Sequence, residues 1–126
     1  MNKSTATRAE KVEPTGQTVE IEITYDRSKP APERIVQVKP ATFMVSKWNC
    51  EQVHWYSRNK DASLPAPAFT VDFGKNGSPF YEIQFDHEHP FSGHVRRSVL
   101  PDERKIYEYT VRIEDTSLDP GGGVKA

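Results

Sequence analysis

The chain has 126 residues, with 17 Lys+Arg against 18 Asp+Glu and a formal net charge of -1; this suits one compact domain and leaves out the basic surplus of a nucleic-acid binder. Hydrophobic residues are 35% and charged residues 28% of the total, so the core is thin and rests on two Trp, six Phe and five Tyr. One cysteine, Cys50, excludes an intrachain disulfide framework and any Cys-rich zinc module.

Residues 1–16 are small, charged and aperiodic and read as a flexible N-terminal leader. The opening MNKSTATRAEKVEP has no apolar stretch of the kind an export signal needs, and no later run approaches the roughly 18 apolar residues of a membrane span. The expected compartment is therefore the cytoplasm, which a lone thiol also fits. From Thr18 to Tyr25 (TVEIEITY) the pattern alternates strictly, with Val19, Ile21, Ile23 and Tyr25 on one face, and predicts a half-buried strand. Residues 26–33 (DRSKPAPE) form a loop. Residues 35–39 (IVQVK) and 42–45 (TFMV) are short strands parted by Pro40, where the chain changes direction or sheet.

Residues 53–57 alternate again and send Trp55 inward, with His54 and Tyr56 outward. Residues 58–67 are a long loop rich in Ala, Ser and Pro. Phe69, Val71 and Phe73 alternate, and Gly74-Lys75-Asn76-Gly77 then predicts a hairpin turn into residues 80–85 (FYEIQF), because Asn and Gly tolerate positive φ. Residues 94–100 read as a weak edge strand. Residues 104–113 (RKIYEYTVRI) read as one strand with Tyr107, Tyr109, Val111 and Ile113 on one face. The expected domain spans residues 17–120, and 121–126 read as a flexible Gly-rich tail.

With no helical period and about seven or eight short strands, the expected class is all-β: an antiparallel Greek-key β-sandwich. The succession Val53-His54-Trp55, Phe69-Thr70-Val71-Asp72-Phe73 and Tyr107-Glu108-Tyr109-Thr110-Val111 resembles a cupredoxin-like domain over residues 18–120; immunoglobulin-like sandwiches share the alternation. The resemblance raises copper, which that family holds with two His, a Cys and a weak Met, three of these ligands lying close together near the C-terminus. Here Cys50 precedes the Trp55 strand, the last strand has neither His nor Cys, and the methionines are Met1 and Met44. What the resemblance implies is the fold without its usual metal, and no cofactor is expected.

A separate metal site is conceivable at His87, His89 and His94. In extended backbone residues i and i+2 point the same way, and the Pro90-Phe91-Ser92-Gly93 turn would return His94 to them, a set suited to Zn²⁺ or Cu²⁺. A polar loop with exposed histidines beside Asp86 and Glu88 explains the same run and is preferred. Cys50 and His54 would share a strand face, most simply as a buried thiol beside a surface His. Ser92 and His94 lack a G-x-S-x-G elbow, and no carboxylate pair leaves a solvated face, so no enzyme is expected. Arg96-Arg97 and Arg104-Lys105 make a local basic patch, but Asp102, Glu103 and Glu108 interleave with it, which speaks against nucleic acid.

Trp48, in the loop before the Trp55 strand, either plugs the end of the sandwich or serves recognition. The functional expectation is a non-catalytic binding or assembly module that recognises a protein partner, or a second copy of itself, through loops and sheet edges. Trp48, Tyr56, Arg96 and Arg97 are its contact residues. A subunit of a larger complex or filament, pairing through edge strands, fits the same features.

Overall fold

The computed structural model describes residues 17–126, so the expected leader, 1–16, lies outside the described residues. The chain is all-β, with ten strands and two single-turn 3₁₀ segments among the described residues. Strands β1 (Thr18–Tyr25), β2 (Ile35–Lys39), β3 (Thr42–Ser46) and β4 (Gln52–Asn59) come first. They are followed by β5 (Thr70–Asp72), β6 (Gln84–Asp86), β7 (Asp102–Glu108), β8 (Thr110–Ile113), β9 (Thr116–Leu118) and β10 (Gly121–Lys125). They form three sheets, in the orders β2-β1-β4, β3-β10-β7 and β9-β8-β5-β6. The pairing is mostly antiparallel, but β1 lies parallel to β4 and β3 parallel to β10. Such an arrangement of sheets around one core is consistent with a β-sandwich.

Alternation places the inner residues of β1 as expected: Ile21, Ile23 and Tyr25 are buried, and Val19 packs against the core. Its partner β4 sets Trp55 opposite Ile21. The Trp55 ring is fully buried and touches all three sheets. It meets Phe43 of β3 edge-on at 6.5 Å, stacks on Phe85 of β6 at 5.0 Å and meets Tyr109 edge-on at 5.7 Å. Phe73 and Phe80 complete this aromatic centre. A polar chain thus closes its core with a few large rings, each removing more apolar surface from water than an aliphatic side chain can.

Short pieces of backbone tie the sheets together. The Pro90 carbonyl accepts the Trp55 N–H at 3.0 Å, and the Val53 carbonyl accepts the Ser92 N–H at 2.8 Å. The buried Ser92 hydroxyl in turn accepts the Val53 N–H at 2.7 Å, and Gln52 Oε1 accepts the Gly93 N–H at 3.0 Å. Residues 90–93 therefore run along β4 and follow directly on the turn from Asp86 to His89, which joins the first sheet to the edge of the third. These buried side-chain oxygens satisfy amides that no ladder reaches.

Four expectations change. The Gly-rich end is no tail: β10 lies between β3 and β7, and Val124 is buried. Its glycines carry no periodic signal because their missing Cβ atoms are the structural point. A Cβ on Gly122 would come within 2.1 Å of the Phe43 ring, and one on Gly121 within 2.6 Å of Ile106. Residues 104–113 are not one strand. The chain changes sheet at Tyr109, whose N–H leaves both ladders for the Pro120 carbonyl at 3.0 Å. The β5–β6 hairpin exists, with Val71 opposite Phe85, but its loop begins with the 3₁₀ turn Gly74–Asn76 and closes through the Phe73 N–H on the Ile83 carbonyl. Phe80 explains the longer loop, since its buried ring enters the core where a tight turn would have held it out. Residues 94–100 keep only an isolated bridge, Val95 opposite Phe80, in place of a strand.

Several exposed carboxyls brace loops, and a fold that weakens in acid is the expected result. Ser28 hydrogen bonds hold Asp26 below its ordinary value, Ser63 does the same for Asp61, and Arg27 with Tyr25 does so for Glu114. A carboxyl depressed in the folded state adds stability above its unfolded value, and that stability is lost as pH falls through the folded value. Urea midpoints should accordingly hold steady well above the ordinary 3.8 of Asp and 4.5 of Glu and fall once the pH drops below them. Glu114→Gln should lower the midpoint at neutral pH and match the parent in strong acid. Equal deficits at both pH values would show that the Glu114 charge does not stabilise the fold.

Candidate functional site

The residues singled out from sequence fall into three separate places. His87, His89 and His94 do not gather. The amides and carbonyls of Asp86 and His89 bond to each other, at 3.0 and 3.3 Å, and close a tight turn with His87 and Glu88 at its corner. The backbone there reverses instead of extending, so the i, i+2 relation that would have aligned the two imidazoles does not arise. His89 turns its Nδ1 to Asp86 Oδ1 at 3.2 Å, His87 lies edge-on to Phe69, and His94 is exposed. Among the described residues, no three His, Cys, Asp or Glu side chains come together as a metal-binding group. Cys50 sits in the left-handed region, φ 55°, in the turn before β4, so strand geometry does not carry it to the face of His54.

Asp86 is the centre of that turn. Partial desolvation pushes its carboxyl upward, but bonds from the Glu88 and His89 amides and the His89 ring outweigh this and leave it below the ordinary value. Its role is that of a turn-former whose side chain satisfies the amides at the corner.

The second place is one end of the domain. Trp48 is 75% exposed, which removes it as a plug. Neighbouring Lys47 donates from Nζ to the carbonyls of Arg97, at 2.8 Å, and Val99. Tyr81 Oη accepts the Arg97 N–H at 3.2 Å. These bonds tie the turn bearing Trp48, the loop bearing Tyr81 and the segment leading to Leu100 to the same few residues. Tyr81 is 67% and Leu100 78% exposed. Arg97 is exposed beside them, while Arg96 faces the fold and donates from Nε and Nη2 to the Ser78 carbonyl. Tyr81 and Leu100 escape a sequence reading because each lies in an irregular stretch where a large apolar residue is ordinarily taken for core.

The third place is the outer face of β4. His54 and Tyr56 do point outward, and Phe91 crosses over to join them. The Phe91 ring lies on His54 at 4.3 Å and 14°, and His54 lies beside Tyr56 at 5.9 Å and 24°. Glu20 of β1 reaches His54 Nδ1 at 2.9 Å, and Glu22 contacts both Tyr56 Oη at 3.4 Å and Arg58 at 3.2 Å. Desolvation, with the charge of Glu22 next, raises the Tyr56 phenol above its ordinary value, so it stays protonated near neutrality. Tyr56 therefore belongs with Phe91 and His54 and not with the Trp48 end. Sequence offers no signal for this row, which depends on the parallel register that brings Glu20 opposite His54, and register is invisible until the strands are paired.

No helix among the described residues is long and apolar enough to cross a membrane. No protein-family model matches the chain, and no curated protein or solved structure does either.

Proposed function

We propose that the domain is a non-catalytic binding module that recognises a protein partner with the end formed by Trp48, Tyr81 and Leu100, with Arg97 at the rim. The observation that carries this reading is the exposure of these three large apolar side chains, each at least 67%, on segments bonded to one another through Lys47 and Arg97. Apolar surface held rigidly in water is what an interface core requires, and Trp, Tyr and Arg are the side chains that most often carry binding energy there. Of the four expected contact residues, Trp48 and Arg97 remain in this reading. Arg96 supports the fold from beneath, and Tyr56 belongs to another surface. The strand succession quoted above favours a cupredoxin-like sandwich that has given up copper and kept its loops for recognition. Assembly into a larger complex is the same reading with a further subunit as the partner.

The test starts with a photo-crosslinking phenylalanine analogue at position 48, used in the native cell to identify the neighbour. The purified neighbour is then titrated with the parent domain and with Trp48→Ala/Leu100→Ser. The double variant should lose affinity by about tenfold or more, because hot-spot truncations cost roughly 2 kcal/mol. Both side chains are solvent-exposed, so the variant should keep the parent melting temperature. An unchanged affinity at unchanged stability would remove the end from the binding surface.

A further inference from the structure

We propose a second binding surface, separate from the Trp48 end: the open cleft between Phe91 and the β5–β6 hairpin takes an arginine-bearing, basic peptide segment. The cleft encloses about 700 Å³ on the outer face of the third sheet. Thr70 and Asp72 of β5 and Gln84 and Asp86 of β6 line it together with Glu82, His89 and Phe91. The register that sets Thr70 opposite Asp86 and Asp72 opposite Gln84 turns these four polar side chains the same way, with Val71 and Phe85 facing the core.

Charge and ring geometry together select the occupant. Three carboxylates, Asp72, Glu82 and Asp86, line the cleft, with His89 as its one basic-capable side chain among the described residues. One oxygen of Asp72 is engaged by the Gly74 amide, and one oxygen of Asp86 by the turn. Among the described residues their other oxygens, and both oxygens of Glu82, accept nothing. Arg112 of β8 stands beside Thr70 on the same sheet face but does not line the cleft. Phe91 offers a half-exposed ring at the wall, held in orientation by its stack on His54, which Glu20 fixes from the other side. A planar guanidinium uses both features at once: it lies on an aromatic face and gives paired N–H donors to carboxylates. The row continues through His54 to Tyr56, so an extended segment finds further rings beyond the cleft, while Glu20 and Glu22 there are already engaged by His54 and Arg58. Nucleic acid is repelled by the same charges, and a neutral ligand would leave them without use.

The experiment is an amide-resolved NMR titration of the full chain with a synthetic Arg-Ser repeat peptide, followed by affinities from fluorescence anisotropy. Shifts should concentrate on residues 70–72, 82–86 and 89–91. Binding should weaken steeply with added salt, and a Lys-Ser peptide should bind several-fold less well because it lacks the planar donor fork. Glu82→Gln, an exposed change that leaves the fold alone, should weaken the Arg-Ser peptide by about threefold, and Phe91→Ala by about fivefold or more. No saturable shift, equal affinity for a Glu-Ser peptide, or full affinity in Glu82→Gln and Phe91→Ala together would overturn the proposal. Shifts at Trp48, Tyr81 and Leu100 instead would overturn it while supporting the end as a binding surface. Concentration-dependent broadening of the cleft residues without peptide would make a second copy of the chain the occupant and overturn it also. Loss of partner binding by Trp48→Ala/Leu100→Ser leaves this titration unchanged, so the two surfaces fail separately.

Discussion

Gly122→Ala should lower the melting temperature of the domain by about 12 °C or more, an effect on the order of 3 kcal/mol. The new Cβ would fall 2.1 to 2.3 Å from three atoms of the Phe43 ring. That ring is fully buried and meets Trp55, Phe80 and Tyr109 within 6.0 to 6.5 Å, so it has no direction in which to retreat. The cost is steric and not conformational, because Gly122 pairs with Phe43 and Tyr107 without a positive φ, the irregularity of the β10–β7 ladder starting only beyond it. Shortening the obstructing ring should return part of the loss: Phe43→Leu with Gly122→Ala should be more stable than the sum of the two single changes. Additive losses in thermal or urea melts would mean that the two positions do not touch.

Trp55→Ala should cost about 4 kcal/mol and leave little folded protein at 37 °C, since it empties the one position where three sheets meet. A second substitution separates packing from polarity. Among the described residues the Tyr109 hydroxyl and the Trp55 indole nitrogen are both buried without a hydrogen-bond partner, and the two rings meet edge-on at 5.7 Å. Burial pushes the Tyr109 phenol far above its ordinary value. Tyr109→Phe removes an unsatisfied group while keeping the ring, so it should be neutral or stabilising by about 1 kcal/mol. A loss of that size instead would reveal a buried water bonded to both groups. Trp55→Phe should fall between the parent and Trp55→Ala.

The strands with strict alternation were legible from sequence because their inner face has to be apolar whatever they pair with. β1 and β4 carry that pattern, as do the pair Val71 and Phe85, and the change of direction at Pro40 follows from its missing N–H. What stayed hidden depends on partners. Residues 104–113 alternate without interruption through Tyr109, so nothing local marks the change of sheet. Three consecutive glycines look like a tail until Phe43 and Ile106 are seen to fill the space their side chains would take. Outward-facing Tyr56 was legible, but not its row with Phe91, because a ring at position 91 reaches β4 through backbone bonds that no periodicity announces. The histidine run shows the converse error, an inference from extended geometry applied where Asp86 folds the chain back.

The place of β10 also bears on how the protein comes to be made. β3 and β7 are both synthesised before the strand that separates them, and β3 precedes it by most of the domain. Until residues 121–125 emerge, the nascent chain exposes two open backbone edges and a Phe43 ring with no glycine to rest on. Closing the sheet late and across such a span is slow, and the waiting edges invite pairing with another unfinished chain. Yield in the cell should therefore be governed by the interval between translation of β3 and release of β10, with chaperones that shield open edges deciding how many chains survive it.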